Sequence, residues 1–270
     1  MAITTVDGLV AAARQRVPIV KTTSATTVAA QWSTLLDVAG SPGAGSLTVG
    51  NTTTGVVPTD ATSGFPTINA FGGGNTGYIS GVAWSSTVAS RMVLFDRLFH
   101  AGSVSMTSLA TTTLGSQPSY LTRTPDGAGV GCEIWLEINA AVSATATTLA
   151  VTYTNSDGTT GRATGATGSL SGYITRRLIQ MPLQAGDKGV QKIESVIVGG
   201  TVATTGSVNV IVARPLVDNM RVRSANDGDV AGWDRTQLVT VYDTSALWLA
   251  VAADSTASGV PDVALTITNG

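Results

Sequence analysis

The chain has 270 residues, of which 43% are hydrophobic and only 12% charged, with a formal net charge of -2. Phosphate-backbone binding demands clustered Lys and Arg, and 15 basic residues against 17 acidic ones exclude a nucleic-acid role on composition. The charged share is about half the rough quarter usual in a soluble domain. Thr, Ser, Ala and 31 glycines fill the space, a composition that favours strands joined by tight turns. Short uncharged side chains lose little rotamer entropy and little hydration when another protein covers them, which points to assembly.

The N-terminal third carries helix signals. Val6, Leu9, Val10, Ala13 and Val17 share one helical face, with Thr5 as cap, Asp7 at the positive end, Arg14 and Arg16 at the negative end and Pro18 as the stop. The start has no basic segment before an apolar stretch, so no secretory signal is expected, and no run reaches the length of a membrane-spanning helix. A second helix is predicted with Val28, Trp32, Leu35 and Leu36 on one face, capped by Thr26 or Thr27 and ended by Gly40. A third is predicted from Thr87 to His100, aligning Val88, Met92, Phe95 and Phe99, with Gly102 just beyond. Ser41 to Gly55 and Gly64 to Gly77 read as long loops.

From about Ser103 the period becomes two. Val130, Cys132, Ile134, Leu136 and Ile138 point one way, and Gly131, Glu133, Trp135 and Glu137 the other, which predicts a half-buried strand. Leu149, Val151 and Tyr153 continue the pattern into the turn Asn155-Ser156-Asp157-Gly158. Gly158 to Gly172 reads as a mobile or partner-ordered loop. Further strands are predicted at Tyr173–Met181, Ile193–Val198, Ser207–Ala213, Leu238–Tyr242, Leu247–Val251 and Val263–Thr268. The fold class is therefore mainly β, a β-sandwich or barrel-like domain with a short helical N-terminal region. The division is either 1–102, an N-terminal arm with helices and loops, and 103–270, the β domain, or one continuous fold with the helices covering one end.

Candidate chemistry is sparse. His100, the single histidine, is expected at the end of the third helix, where a cationic ring suits the helix C-terminus. Cys132, the single cysteine, belongs to the inward face; alone it forms no intramolecular disulfide and fits synthesis in a reducing cytoplasm. One Cys and one His do not supply a zinc site. Phe71 to Gly77 lacks the Gly-Lys-Ser/Thr ending of a phosphate loop. Asp227, Asp229 and Asp234 could offer oxygen ligands to calcium, but no acidic residue closes the loop at the twelfth position, and Asp-Gly is an ordinary turn former. Glu133 and Glu137, four residues apart on one strand, lie about 13 Å apart at ~3.3 Å per residue, beyond the roughly 5–9.5 Å of a glycosidase pair. With Trp135 between them they read as a contact surface. The basic pair Arg176-Arg177 is expected within a strand. No catalytic, cofactor-binding or metal-ligating residue is assigned, and a non-enzymatic protein is expected.

A chain that begins Met-Ala-Ile-Thr-Thr, continues through short helices into a charge-poor Thr/Ala/Gly-rich β domain and ends Asp-Val-Ala-Leu-Thr-Ile-Thr-Asn-Gly resembles virion structural proteins of tailed bacteriophages. The likeness is strongest to capsid decoration proteins, also called cement or auxiliary head proteins. It implies a homo-oligomer, often a trimer, made in the host cytoplasm and held in the virion on the major capsid protein, with arms over neighbouring subunits, and no nucleic-acid or membrane partner. It carries over no functional residue. Two other readings share this composition: a tail-tube or tail-associated protein, and a carbohydrate-binding module or receptor-binding spike. The latter would cluster Trp84, Trp135, Trp233 and Trp248 on one surface. A major shell subunit fits less well, since no long charged spine helix or extended loop is apparent.

Overall fold

The computed structural model describes residues 3–73 and 75–270. Met1 and Ala2 of the N-terminal arm and Gly74 of the 71–77 glycine run lie outside the described residues. In chain order the elements are α1 Val6–Ala11, β1 Ala13–Lys21, β2 Ser33–Thr34, β3 Gly40–Ser41, β4 Gly77–Ser86, β5 Ser90–Ser105, β6 Thr111–Thr113, β7 Glu133–Ala140, β8 Thr147–Asn155, β9 Arg162–Ala163, β10 Leu178–Met181, β11 Val190–Gly200, β12 Ser207–Val222, β13 Asp227–Ala231, α2 Trp233–Thr236, β14 Thr240–Val241, β15 Leu247–Ala253 and β16 Pro261–Asn269. The protein is mainly β, as the period-two pattern predicts.

The chain divides into two compact units, and not at Ser103. Unit 1 comprises the chain up to Ser46, Thr59–Asp96 and Leu216–Gly270; unit 2 comprises Leu47–Pro58 and Arg97–Pro215. Two of the four boundaries fall inside β5 and β12, each 16 residues long, and the other two set Leu47–Pro58 into unit 2, so the units interleave along the chain in place of the bounds 1–102 and 103–270.

In unit 1 an antiparallel sheet runs β13-β4-β16-β1-β3, with β14 also on β4. The first part of β5 pairs β15, which pairs β2. Alternate residues of these strands, among them Val17, Ile19, Ile79, Val82, Trp84, Leu249, Val263, Leu265 and Ile267, meet in one core. Burying each such side chain contributes about 1.5–3 kcal/mol against the entropy of ordering the chain.

Unit 2 places β7 between β10 and the first part of β12, and orders a second sheet β6-β11-β8-β9. Cys132, Ile134, Leu136, Ile138, Leu149, Val151, Tyr153, Ile193, Val196, Val208 and Val210 form its core, so the inward face read from the sequence holds from Cys132 to Ile138. Val130 is 47% exposed and does not belong to it. The Asn155 to Gly158 turn is also as expected: Gly158 N–H donates to Asn155 O, and Gly158 sits at φ +79. Gly158 to Gly172, expected to be a mobile or partner-ordered loop, is laid along β8. Arg162–Ala163 pair with it, and Thr164, Thr167 and Leu170 each donate a backbone bond to it.

The three helix expectations fare differently. Thr5 does cap α1, accepting from Gly8 N at 3.0 Å, and Arg14 does reach the last carbonyls, those of Leu9 and Val10. The helix stops at Ala11, however, and Arg16 and Pro18 belong to β1, which pairs with β16 over eight residues. β3 covers just Val20 and Lys21, so Pro18 sits where no second neighbour asks for its missing N–H. The helical face read from Val6 to Val17 is thereby corrected, because Ala13 and Val17 lie in a sheet strand. The second helix is absent: Ala30 takes φ +59, Ser33–Thr34 pair with β15, and Leu35 and Leu36 are buried from turns. The third is β5. Every residue from Phe95 to Gly102 is buried, which erases the period of two and leaves a chance match to helical spacing.

Among the remaining strands, that expected at Tyr173–Met181 is confined to Leu178–Met181, with Arg176 (φ +76) and Arg177 in the preceding turn and Arg177 stacked 3.6 Å from the Tyr173 ring. No helix among the described residues is long and apolar enough to cross a membrane.

Candidate functional site

The residues with most chemical capability in unit 2 converge on one buried cluster. β5 carries Arg97 and His100 inward, β7 carries Glu137 and β12 carries Asn209, all at most 1% exposed. Arg97 grips Glu137 with a two-pronged fork, Nη1 to Oε1 at 3.2 Å and Nη2 to Oε2 at 2.9 Å. Asn209 Nδ2 donates to Glu137 Oε2 at 2.8 Å and to Leu47 O. Such forks combine charge with directional hydrogen bonds, which is what permits an ion pair to persist away from water. Arg123 enters the same region and donates to Pro58 O and to Arg97 O.

His100 is thus not at a helix end. Its Nδ1 lies 2.5 Å from Arg97 Nη2. A guanidinium only donates, so Nδ1 must accept and the ring proton sits on Nε2. Burial pushes the imidazole well below its usual pKa, Arg97 pushes the same way, and Asn209, which also faces the ring, pushes back. The ring is held neutral as an acceptor within a charge network. Glu137, expected on an exposed contact face, is correspondingly buried. Glu133 remains at the surface side and accepts from Trp135 Nε1 at 2.8 Å, while the Trp135 side chain is covered. Cys132 is buried on the inward face, as the alternation predicts.

In unit 1 the acidic trio is not a loop. Asp227 and Asp229 lie on β13, and Asp234 is in the first turn of α2. Arg235 takes both Asp229 oxygens, at 2.8 and 3.2 Å, and Arg221 N–H adds a bond at 3.2 Å. These contacts, Arg235 foremost, hold the Asp229 carboxyl below the usual carboxylate range. A cation there would have to displace the guanidinium. Among the described residues no group of three or more His, Cys, Asp or Glu side chains comes together.

The surface also presents apolar side chains. α1 exposes Val6 and Val10 on one face while burying Leu9. Leu9 and Trp233 line a groove of about 240 Å³ with Arg14, Ser80, Gly81 and Thr266. Trp233 is half exposed, whereas Trp84, Trp135 and Trp248 are core residues, so the four do not form a stacking platform for sugars. On unit 2, Leu109 and Ile197 are exposed beside β6. The sequence hides both features. The buried network needs residues 40 and 72 positions apart in the chain, and the exposed apolar residues look like core residues until the fold leaves them outside.

No family model matches the chain, and no curated protein matches it. Among solved structures, the chain is similar to the VP2 subviral particle of infectious bursal disease virus, with 9% identity over 96% of this chain and 80% of that one and a TM-score of 0.20. It is likewise similar to the infectious bursal disease virus Gt strain structure, at 8% identity over 95% of this chain and 81% of that one, TM-score 0.20. A likeness of that size does not amount to a shared fold, and the mainly β architecture stands on the chain's own strands.

Proposed function

We propose that this chain is a non-enzymatic structural protein of a virus particle that decorates or stabilises the capsid shell through protein–protein contacts. The observation that carries the reading is the placement of chemistry. His100, Cys132, Arg97 and Glu137 are built into the core, while the surface offers short uncharged side chains and isolated apolar residues such as Val6, Val10 and Trp233. A protein that works by being covered needs such a surface, since few charges have to be desolvated. The resemblance to tailed-phage decoration proteins supports the same reading and supplies the partner, a major capsid protein, and the closed oligomer, a trimer. With residues 13–21 in the sheet, the arm reduces to α1, and Val6 with Val10 is its contact face.

The test is solution mass by light scattering, negative-stain imaging of the same peak, and co-sedimentation with undecorated shells. A discrete oligomer that binds shells is the expected result, weakened by Val6→Glu with Val10→Glu at an unchanged melting temperature. Rings or tubes without shell binding would favour a tail-tube protein instead. A monomer that binds neither itself nor shells would overturn the proposal.

A further inference from the structure

The edges of the sheets differ in how they are guarded. β13 places Asp227 and Asp229 on its edge, β9 contains Arg162, and β10 follows Arg176-Arg177 and runs into Pro182, the devices that keep exposed edges from pairing. β6 is the opposite. It reads Thr111-Thr112-Thr113, flanked by Leu109-Ala110 and Leu114-Gly115, and apart from His100 no ionisable side chain stands between Arg97 and Tyr120. Its threonines are exposed, half-exposed and exposed in turn.

The register fixes which backbone groups are free. Val198 N–H donates to Ala110 O, and Leu114 N–H donates to Glu194 O, so residues 110, 112 and 114 direct their N–H and C=O toward β11. Thr111 and Thr113, opposite Ile197 and Ser195, are the non-bonded pairs of the ladder, and their N–H and C=O point out of the sheet; the free row ends there, because the next outward N–H, that of Gly115, donates to Thr53 O. Side chains alternate too. Thr111 lies on the same face as Ile197, 37% exposed, with Leu109, 59% exposed, two residues before it.

We propose that the β6 edge pairs antiparallel with the same edge of a second copy of this chain, about a two-fold axis through Thr112. In that register Thr111 of each copy faces Thr113 of the other, and the four outward N–H groups find the four outward carbonyls. The segment is uncharged, so its self-pairing brings no like charges together, and identical β-branched side chains meet across the axis. Ile197 of each copy lies on the same face as the paired threonines. Self-pairing explains why this edge carries neither the charge nor the proline that β13, β9 and β10 carry in or beside them. The inference adds to the assembly reading a surface between copies; a two-fold contact closes a dimer, so it stands apart from the three-fold contact of a trimer and rests on that reading only for self-association, while shell binding is measured apart from it.

Three variants test it. Thr113→Pro deletes one outward N–H that the sheet does not use, and Thr111→Lys sets two ammonium groups near one axis. Thr112→Cys puts a thiol opposite its own copy in a non-bonded pair, with Cα atoms about 4.5 Å apart, within disulfide reach. Cys132 is buried and leaves the new thiol as the reporter. Analytical ultracentrifugation across a concentration series should show at least ~10-fold weaker association for the first two variants at unchanged melting temperature. Oxidised Thr112→Cys should run as a covalent dimer on a non-reducing gel. A wild-type chain that associates equally well in both variants, with no cross-link, overturns the edge pairing while leaving shell decoration standing. A monomeric wild type overturns the pairing as well, and co-sedimentation with shells then decides the functional proposal separately.

Discussion

Glu137→Ala isolates the energetic role of the buried pair in unit 2. Removing the carboxylate leaves Arg97 inside the protein, 0% exposed, without its fork, and deprives Asn209 Nδ2 of one of two acceptors. Breaking a buried pair from one side costs roughly 3–5 kcal/mol, because the remaining charge keeps its desolvation penalty. At roughly 2–4 °C per kcal/mol for chains of this size, the melting temperature should fall by about 10 °C. Arg97→Met combined with Glu137→Ala removes both charges together, so the double variant should lose less than the sum of Arg97→Met and Glu137→Ala made singly, the signature of coupling in a double-mutant cycle. Thermal and urea unfolding followed by circular dichroism at pH 7.5 would read all four corners. A single-variant loss below ~1 kcal/mol, or a double variant equal to the sum of its parts, would refute the reasoning.

Three further outcomes follow from the same structure. His100 is depressed below its unfolded pKa, so the folded state binds fewer protons; its stability is whole above about pH 6.5 and falls by about 1.4 kcal/mol per unit as pH drops below that, and His100→Gln should remove this slope in urea titrations between pH 6.5 and 5. Lys21 is buried against Val38 O and lowered to about 8, chiefly by burial, so stability should rise between pH 8 and 10.5 as the ammonium is shed. Lys21→Met should be the more stable protein at pH 7 and show no such rise; a less stable variant would mean the Val38 bond dominates. Gly55 sits at φ +67 with the Phe99 ring where a Cβ would go, so Gly55→Ala should cost ~1 kcal/mol or more in chemical denaturation, and a neutral result would show that the ring yields.

Sequence alone determined the class of this protein and much of its local grammar. Alternation from Cys132 to Ile138 and from Leu149 to Tyr153, the Asn155 turn and the Thr5 cap are all written in neighbouring residues, and each was found where the pattern put it. These features depend on interactions a few residues long, so a local code specifies them. What the tertiary structure decided is everything that depends on both sides of a strand. Met92 to Ala101 carries no readable period because two layers bury it, and so it passes for a helix. β1 was hidden behind residues with helical spacing, and only its eight-residue pairing with the opposite end of the chain makes it a strand. Glu137 looks solvated from its alternation and is buried because Arg97, 40 residues earlier, meets it. The free edge at β6 likewise exists only once β11 has taken the other side, for a run of threonines says nothing about which of its hydrogen bonds remain to be made.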